Sequence, residues 1–465
     1  MREIWTLGVE DLVQAIHAGE LDAVEVVRAF AERAAEVDGL VNCFITLDGA
    51  AATERAAGLG PGSPGPLHCV PYAYKDVFVH GGATPSVGSR DVSLPVRGRA
   101  SPVLDRLDAA GAIALGACNL DPFAYAATGV NPDFGDTLNP WDPTRIAGGS
   151  SGGAAAAVAA GAVPFAVGTD AGGSIRIPAA LCGVTGLKPT LGRIPRRGAV
   201  PLTYSQDTVG ILARSARDVA LVLGTVAGHD PDDPSSIPAP VPAYAVAHGG
   251  CEGLRIGVDT DAFAARTMPQ IATTAESVLG VFTRLGAELI EVDLALLEGF
   301  DAAAAVLTWA EALAIHERGL ETQTSRYPPT IRARLESALA VHGADHVNAL
   351  RLQGRSIAQL LEGPLSTADV LLVPTVSSSA VTFDALRRDA VGVSIGHLRL
   401  NRPFNFAGVP ALAFPAGFDA DGLPVGLQLV GRPWAEEQLL ACVAAYQEAT
   451  DWHRRLPPLP PAHLE

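Results

Sequence analysis

The sequence predicts an α/β protein with helices on both faces of a mostly parallel or mixed sheet, and three observations carry that expectation. Strand-like apolar runs alternate with helical segments along most of the chain. Hydrophobic residues make up 48% of the 465 and charged residues 18%, enough apolar material for a large interior. The alanines and the 49 glycines suit tight packing of helix on sheet.

Taken in order, Leu12, Val13, Ile16, Leu21, Val24, Val27 and Phe30 suit two amphipathic helices broken at Gly19. LVNCFITL (40–47) reads as a strand and LGPGSPGP (59–66) as a loop. HCVPYAYKDVF then reads as a buried strand that delivers Lys75 at its end. A helix over 101–110 leads to the strand AIALGA, and the alternation continues through GAAAAVAAGAVPFAVGTD. The proline- and aspartate-rich stretch HDPDDPSSIPAPVPAY (229–244) marks a surface crossing between two halves. Beyond it come the strand GLRIGV, a helix near 270–285, the strand AELIEVDL and helical segments from 301 to 362. The strands DVLLVPT, PALAFPAG and VGLQLVG follow, then a helix over 435–450 and the proline-rich tail RRLPPLPPAHLE.

The balance of 33 basic against 50 acidic residues gives a formal charge of −17, which repels phosphate backbones and anionic lipid surfaces, so neither nucleic acid nor membrane is expected as a partner. The start, MREIWTLGVEDL, has acidic residues where a signal peptide needs a basic region and an apolar run. The uncharged stretch Ala147 to Thr169 is long enough to span a bilayer, but its six glycines, serine pair and Pro164 read as loop, helix and strand. Six cysteines without a CxxC read as reduced, cytosolic core residues, so the expected location is cytoplasmic. No metal-ligand spacing occurs among the eleven histidines; His316 and His346 fall on helices, where core or solvated roles are the default, and no cofactor is implied.

The most informative segment is AGGSSGGAAAAVAAG (147–161), followed by VGTDAGGSIRIPAALCGVTGLKPT (167–190). Two Gly-Gly-Ser clusters place Ser150 and Ser174 on either side of a helix and a strand that can fold back and bring them together. A phosphate-cradling loop is the first alternative, and it lacks the lysine and serine or threonine of GxxxxGK[ST]. A nucleophile elbow is the second, since residues 149–153 match GxSxG, but the approach WDPTRIA is turn-like rather than a strand. A purely structural role, glycines for packing and serines as satisfied polar residues, is the third; two clusters plus a lysine strand weigh against it.

The runs GGSSGGAAAAVAAG, GTDAGGSIRIPAALCGVTGLKPTLGRIPRRG and PLTYSQDTVGILARSARDVALVL closely resemble the amidase signature family. VPYAYKDVF resembles its lysine motif, and RPFNFAGVPALAFPAGF and LPVGLQLVGRPWAEEQLL its C-terminal strands and last helix. The resemblance implies one α/β/α domain over 1–465 on a large twisted mixed sheet, with a catalytic core at about 66–220 and a variable pocket region at about 300–402. It implies Lys75 as base, Ser150 as a bridging serine often held by a cis peptide, and Ser174 as acylated nucleophile. It further implies an oxyanion hole from the backbone amides of Ala171, Gly172, Gly173 and Ser174.

The chemistry requires these groups. A serine hydroxyl needs a base as it attacks, and a lysine serves only when neutral. Burial beside Tyr74, Val77 and Phe78 lowers the lysine pKa as required; Asp76 would oppose that, so it is expected on the opposite side of the strand. Tyr125, Thr128, Ser151 and Arg176 are candidate substrate contacts, although a structural ion pair between Arg176 and Asp170 is the stronger reading of that residue. Asp207 reads as a loop-bracing carboxylate. Pro122 in NLDPFAYAATGVN stands where many family members carry an acidic residue or histidine.

The expected activity is hydrolysis of small or aryl amides, with carbamates (urethanes) or esters sharing the same tetrahedral intermediate. The alternatives are the glutaminase-type A subunit of a tRNA amidotransferase, a hydrolase of urea derivatives of the biuret or allophanate kind, and a catalytically inert binding protein on the same fold. RRDAVGVSIGHLRLNRPFN lacks the signatures expected of the amidotransferase component. The expected partner is a small-molecule amide, and a homodimer is compatible with the sequence.

Overall fold

The computed structural model describes residues 3–60, 65–92, 94, 100–244 and 251–459. Positions 61–64 of the glycine-proline loop and the last six residues of the tail lie outside the described residues. In chain order the strands are β1 (Phe44–Leu47), β2 (Pro71–Lys75), β3 (Ile113–Cys118), β4 (Leu138–Asn139), β5 (Asp142–Ile146), β6 (Phe165–Asp170), β7 (Thr185–Lys188), β8 (Thr208–Ala213), β9 (Arg255–Val258), β10 (Glu288–Glu291), β11 (Val370–Pro374), β12 (Ala411–Phe418) and β13 (Pro424–Gly431). Eleven of them form one sheet in the order β1-β3-β2-β6-β8-β7-β12-β13-β11-β9-β10, while β4 and β5 pair with each other.

The sheet is mixed, as expected. β2 runs parallel to both β3 and β6, β8 is antiparallel to β6 and β7, and β12 and β13 form an antiparallel pair. Every residue of β6, β7, β8 and β13 is buried, which requires cover on both faces and explains why these strands read as continuous apolar or glycine-bearing runs without alternation. The sequence reading missed β7 and β8 for that reason: TGLK and TVGILA carry neither period-2 patterning nor a long β-branched run.

The helix Ala23–Val41 shows how local signals set an element. Asp22 accepts from the amides of Val24 and Glu25 at 2.9 Å, Val26, Val27, Phe30, Ala34, Val37 and Val41 bury one face, and Asn42 ends the helix in the left-handed region at φ 53°. The expected strand at 40–47 is therefore corrected to Phe44–Leu47, because Leu40 and Val41 complete that helix. WDPTRIA also differs: Asp142–Ile146 is a strand, but it pairs with β4 outside the main sheet and supplies no elbow.

The helix Gly152–Ala159 is buried on all sides, so only glycine, alanine and one valine fit along it. It packs against β6 and helix Arg176–Cys182, and thereby holds the loop before it, with Ser150 and Ser151, against the sheet. The stretch after Val226 is irregular, as read, and is pinned by Arg197 on Asp230 at 2.7 Å.

Candidate active site

Lys75 closes β2 within the main sheet and is fully buried. Its Nζ lies 2.7 Å from Ser150 Oγ and 3.0 Å from Thr169 Oγ1, the latter on β6. Burial lowers its pKa from the ordinary 10.5 to about 8, against the pull of the buried carboxylates of Asp207, Asp121 and Asp170. Asp76 is not one of them. Its carboxylate accepts from the Ser86 amide at 2.9 Å and from the Ser86 hydroxyl, on the far side from the amine as expected.

Ser150 follows a cis Gly149–Ser150 peptide bond. Gly149 is required by close approach, since a Cβ there would sit 1.8 Å from Asp121 Oδ2. The amide of Ser151 donates to the carbonyl of Ser174 at 3.0 Å, which ties the two serine loops together across 23 residues of sequence. Ser174 itself is 6% exposed and lines a cavity of about 370 Å³. Its hydroxyl makes no hydrogen bond to Ser150 or Lys75 among the described residues.

The Ser174 loop is shaped by Asp170, the last residue of β6. Its carboxylate accepts from the amides of Gly173 at 2.7 Å and Ile175 at 3.2 Å and is gripped by Arg176 at 3.0 Å and 3.1 Å. Burial pushes this carboxyl up, but the Arg176 guanidinium and Asn405 outweigh it and hold the pKa well below the usual range. The expectation for Gly173 is corrected accordingly: its N–H is spent on Asp170, leaving the amides of Ala171, Gly172 and Ser174 without intramolecular partners among the described residues. Gly173 has φ 119°, and a Cβ there would meet Asn401 and Ile177 at 2.7 Å.

Of the four expected substrate contacts, only Tyr125 lines the cavity. Arg176 is fully buried between Asp170, Gln428 and Asn405, so it is a brace. Thr128 donates to Asp121 at 2.6 Å and Ser151 to the Thr169 carbonyl at 3.2 Å; both point into the protein. Asp207 accepts from the amides of Leu202 and Thr203, as a loop brace does. His316 is buried against the Tyr327 hydroxyl at 3.0 Å, and burial drops its pKa to about 4. Among the described residues no group of three His, Cys, Asp or Glu side chains is placed to hold a metal ion, and no helix is long and apolar enough to cross a membrane.

The cavity wall comes from distant segments, represented by Tyr125, Trp309, Arg334, Val391, Leu398 and Arg402. Most of these belong to the 300–402 region expected to be variable. Thr169, Arg334 and Arg402 were not foreseen; Thr169 was the accessible one, since it adjoins Asp170 at the start of the Gly-Gly-Ser motif.

A mixed sheet bearing a buried lysine and two glycine-borne serines is the architecture of a hydrolase of C–N bonds. The family model described as Amidase matches residues 25–440, and the chain belongs to the amidase signature family. It is 36% identical to the A subunit of glutamyl-tRNA(Gln) amidotransferase from Chloroflexus aurantiacus over 99% of this chain and 100% of that one. The corresponding protein of Roseiflexus sp. is 37% identical, with 98% of each chain covered. Among solved structures, a chain of a vestigial protein complex that bears on the origins of an s-triazine catabolic enzyme superposes with a TM-score of 0.87 at 32% identity, covering 95% of this chain and 98% of that one. The sequence relatives favour the amidotransferase alternative over the free-standing amidase. Their names, which join them to a tRNA, run against the expectation that nucleic acid has no part.

Proposed function

We propose that the protein hydrolyses the C–N bond of small or aryl amides, through an acyl-enzyme on Ser174. The observation that carries this reading is the buried amine of Lys75 at 2.7 Å from Ser150 Oγ, in a loop bound to the Ser174 carbonyl. In this scheme Ser174 Oγ attacks the carbonyl carbon while Ser150 takes its proton and passes one to Lys75. The same relay returns a proton to the leaving nitrogen, without which the amine cannot depart. The free amides of Ala171, Gly172 and Ser174 offer donors to the developing oxyanion, and water then releases the acid. Carbamates, ureas and esters pass through the same intermediate. The continuous sheet supports treating 1–465 as one catalytic unit.

A second reading, the glutaminase-type component of an amidotransferase, is favoured by the relatives at 36–37% identity over whole chains. The cavity weighs the other way: no carboxylate is among its lining residues to receive the α-ammonium of glutamine. Turnover of an aryl anilide by the purified chain alone supports the first reading; activity on glutamine only, and only with partner proteins, supports the second. A fluorophosphonate that leaves Ser174 of the folded protein unmodified overturns both.

A further inference from the structure

We propose that the cavity selects amides whose acyl chain ends in a carboxylate or similar planar anion and carries no ammonium group, with Arg334 as the partner of that anion. This rests on the amidase reading and specifies its substrate class. Arg334 projects from the helix Pro329–Ser337 into the cavity wall, where one nitrogen donates to the carbonyl of Tyr125 at 2.5 Å. It has no carboxylate within ion-pair distance among the described residues. A guanidinium has five N–H donors, so most of its capacity is unspent.

The nearby acidic groups have other hydrogen-bond partners, although Asp121 also feels the charge of Arg334. Asp121 is fully buried and spends its oxygens on Thr128 and Gly129. Asp301 pairs with Arg402 at 2.8 Å, and Glu311 accepts from the amides of Tyr204 and Ser205. None of the three lines the cavity, so among the described residues its wall presents Arg334, the already paired Arg402 and no carboxylate.

Two hydroxyls complete the cluster. Tyr125 Oη and Ser394 Oγ belong to residues of the cavity wall, and both are buried without a hydrogen-bond partner. Buried polar atoms are nearly always paired, so two unpaired hydroxyls on the wall that also carries Arg334 mark a place for an acceptor-rich group. The remaining wall, with Trp309, Ile395 and Leu398, suits a methylene or aryl body. An α-ammonium would meet the like charge of Arg334 and no acceptor carboxylate among the described lining residues, a juxtaposition that discriminates against it in a water-poor site.

The test compares kcat/KM of the purified full chain for glutaramate (5-amino-5-oxopentanoate), pentanamide and L-glutamine, which differ in the terminal carboxylate and the α-ammonium. The expected result is a preference for glutaramate over both of at least about ten-fold, the size of one charge-assisted hydrogen bond. In Arg334→Met the glutaramate to pentanamide ratio falls toward one, in Arg334→Lys it recovers in part, and Tyr125→Phe and Ser394→Ala each lower it. Rates of fluorophosphonate labelling at Ser174 report whether each variant is folded, and the wild-type ratios stand without any variant. Equal turnover of glutaramate and pentanamide, preference for L-glutamine, or a ratio that survives Arg334→Met overturns the inference while leaving the amidase reading intact. Absence of both labelling and amide turnover overturns the amidase reading itself.

Discussion

Lys75 Nζ and Ser150 Oγ are 2.7 Å apart in a fully buried site, on residues separated by 75 positions of sequence. Two neighbouring strands meet at this contact, because β2 supplies the amine and β6 supplies Thr169 as its second partner. Removing the amine leaves Ser150 with no base. Lys75→Ala is expected to lower kcat for amide hydrolysis by about 10³-fold, within the range for loss of a general base. Retention of full turnover by this variant ends the proposed mechanism.

The pH dependence has a fixed direction. The proposed relay requires the neutral amine, so kcat/KM is expected to rise with pH through the region of the lowered Lys75 pKa, about 8. Asp207 is the largest of the carboxylate influences that favour the ammonium form. Asp207→Asn should therefore move the rising limb to lower pH, as read from a pH–rate profile; a shift to higher pH contradicts the assignment.

The same residue should cost stability. The folded pKa of about 8 lies below the ordinary 10.5, so between these values the unfolded chain binds more protons, and stability rises with pH across that window. Below it the penalty is complete, ~3 kcal/mol from a shift of this size. Lys75→Met is expected to raise the melting temperature at pH 7 while abolishing turnover. A lower melting temperature would show that the contacts to Ser150 and Thr169 outweigh desolvation.

Arg176 is expected to act through stability rather than substrate affinity. Its removal leaves Asp170 charged and unpaired in the interior, where breaking a buried pair costs about 3–5 kcal/mol. Arg176→Ala should shift the urea midpoint accordingly. A variant that keeps its midpoint but shows a raised KM would restore the substrate-contact role.

Gly173→Ala tests the loop from the backbone side. A side chain at φ 119° is strained, and its Cβ would press on Asn401. The expected outcome is a loss of fluorophosphonate labelling of at least about 100-fold, comparable to loss of an oxyanion donor, read by gel or mass spectrometry.

The meeting of Lys75 with Ser150, and of the two serine loops, was legible because the serines sit in Gly-Gly-Ser clusters and the lysine closes a buried strand. Thr128, Ser151 and Arg176 were not, because in a non-repeating loop the facing of a side chain depends on what lies above it: Asp121, Thr169 and Asp170 draw these three inward. Arg334 was beyond reach of local reading, since it stands on a largely solvent-facing helix and meets Tyr125 only through the fold, 209 residues apart. The strands at 185–188 and 208–213 were hidden by their position at the sheet centre, where both faces are dry and no alternation is left to see.

Arg176 clasps Gln428 on β13 and Asn405 ahead of β12 while holding the carboxylate that shapes the Ser174 turn. The Ser174 turn is thus clamped from the opposite half of the polypeptide, by segments that contribute no atom to the proposed relay. Catalytic competence becomes a gauge of whole-chain integrity: loss of the last two strands, by truncation or by melting, should silence the enzyme in the same step that loosens them, without passing through a partly active form.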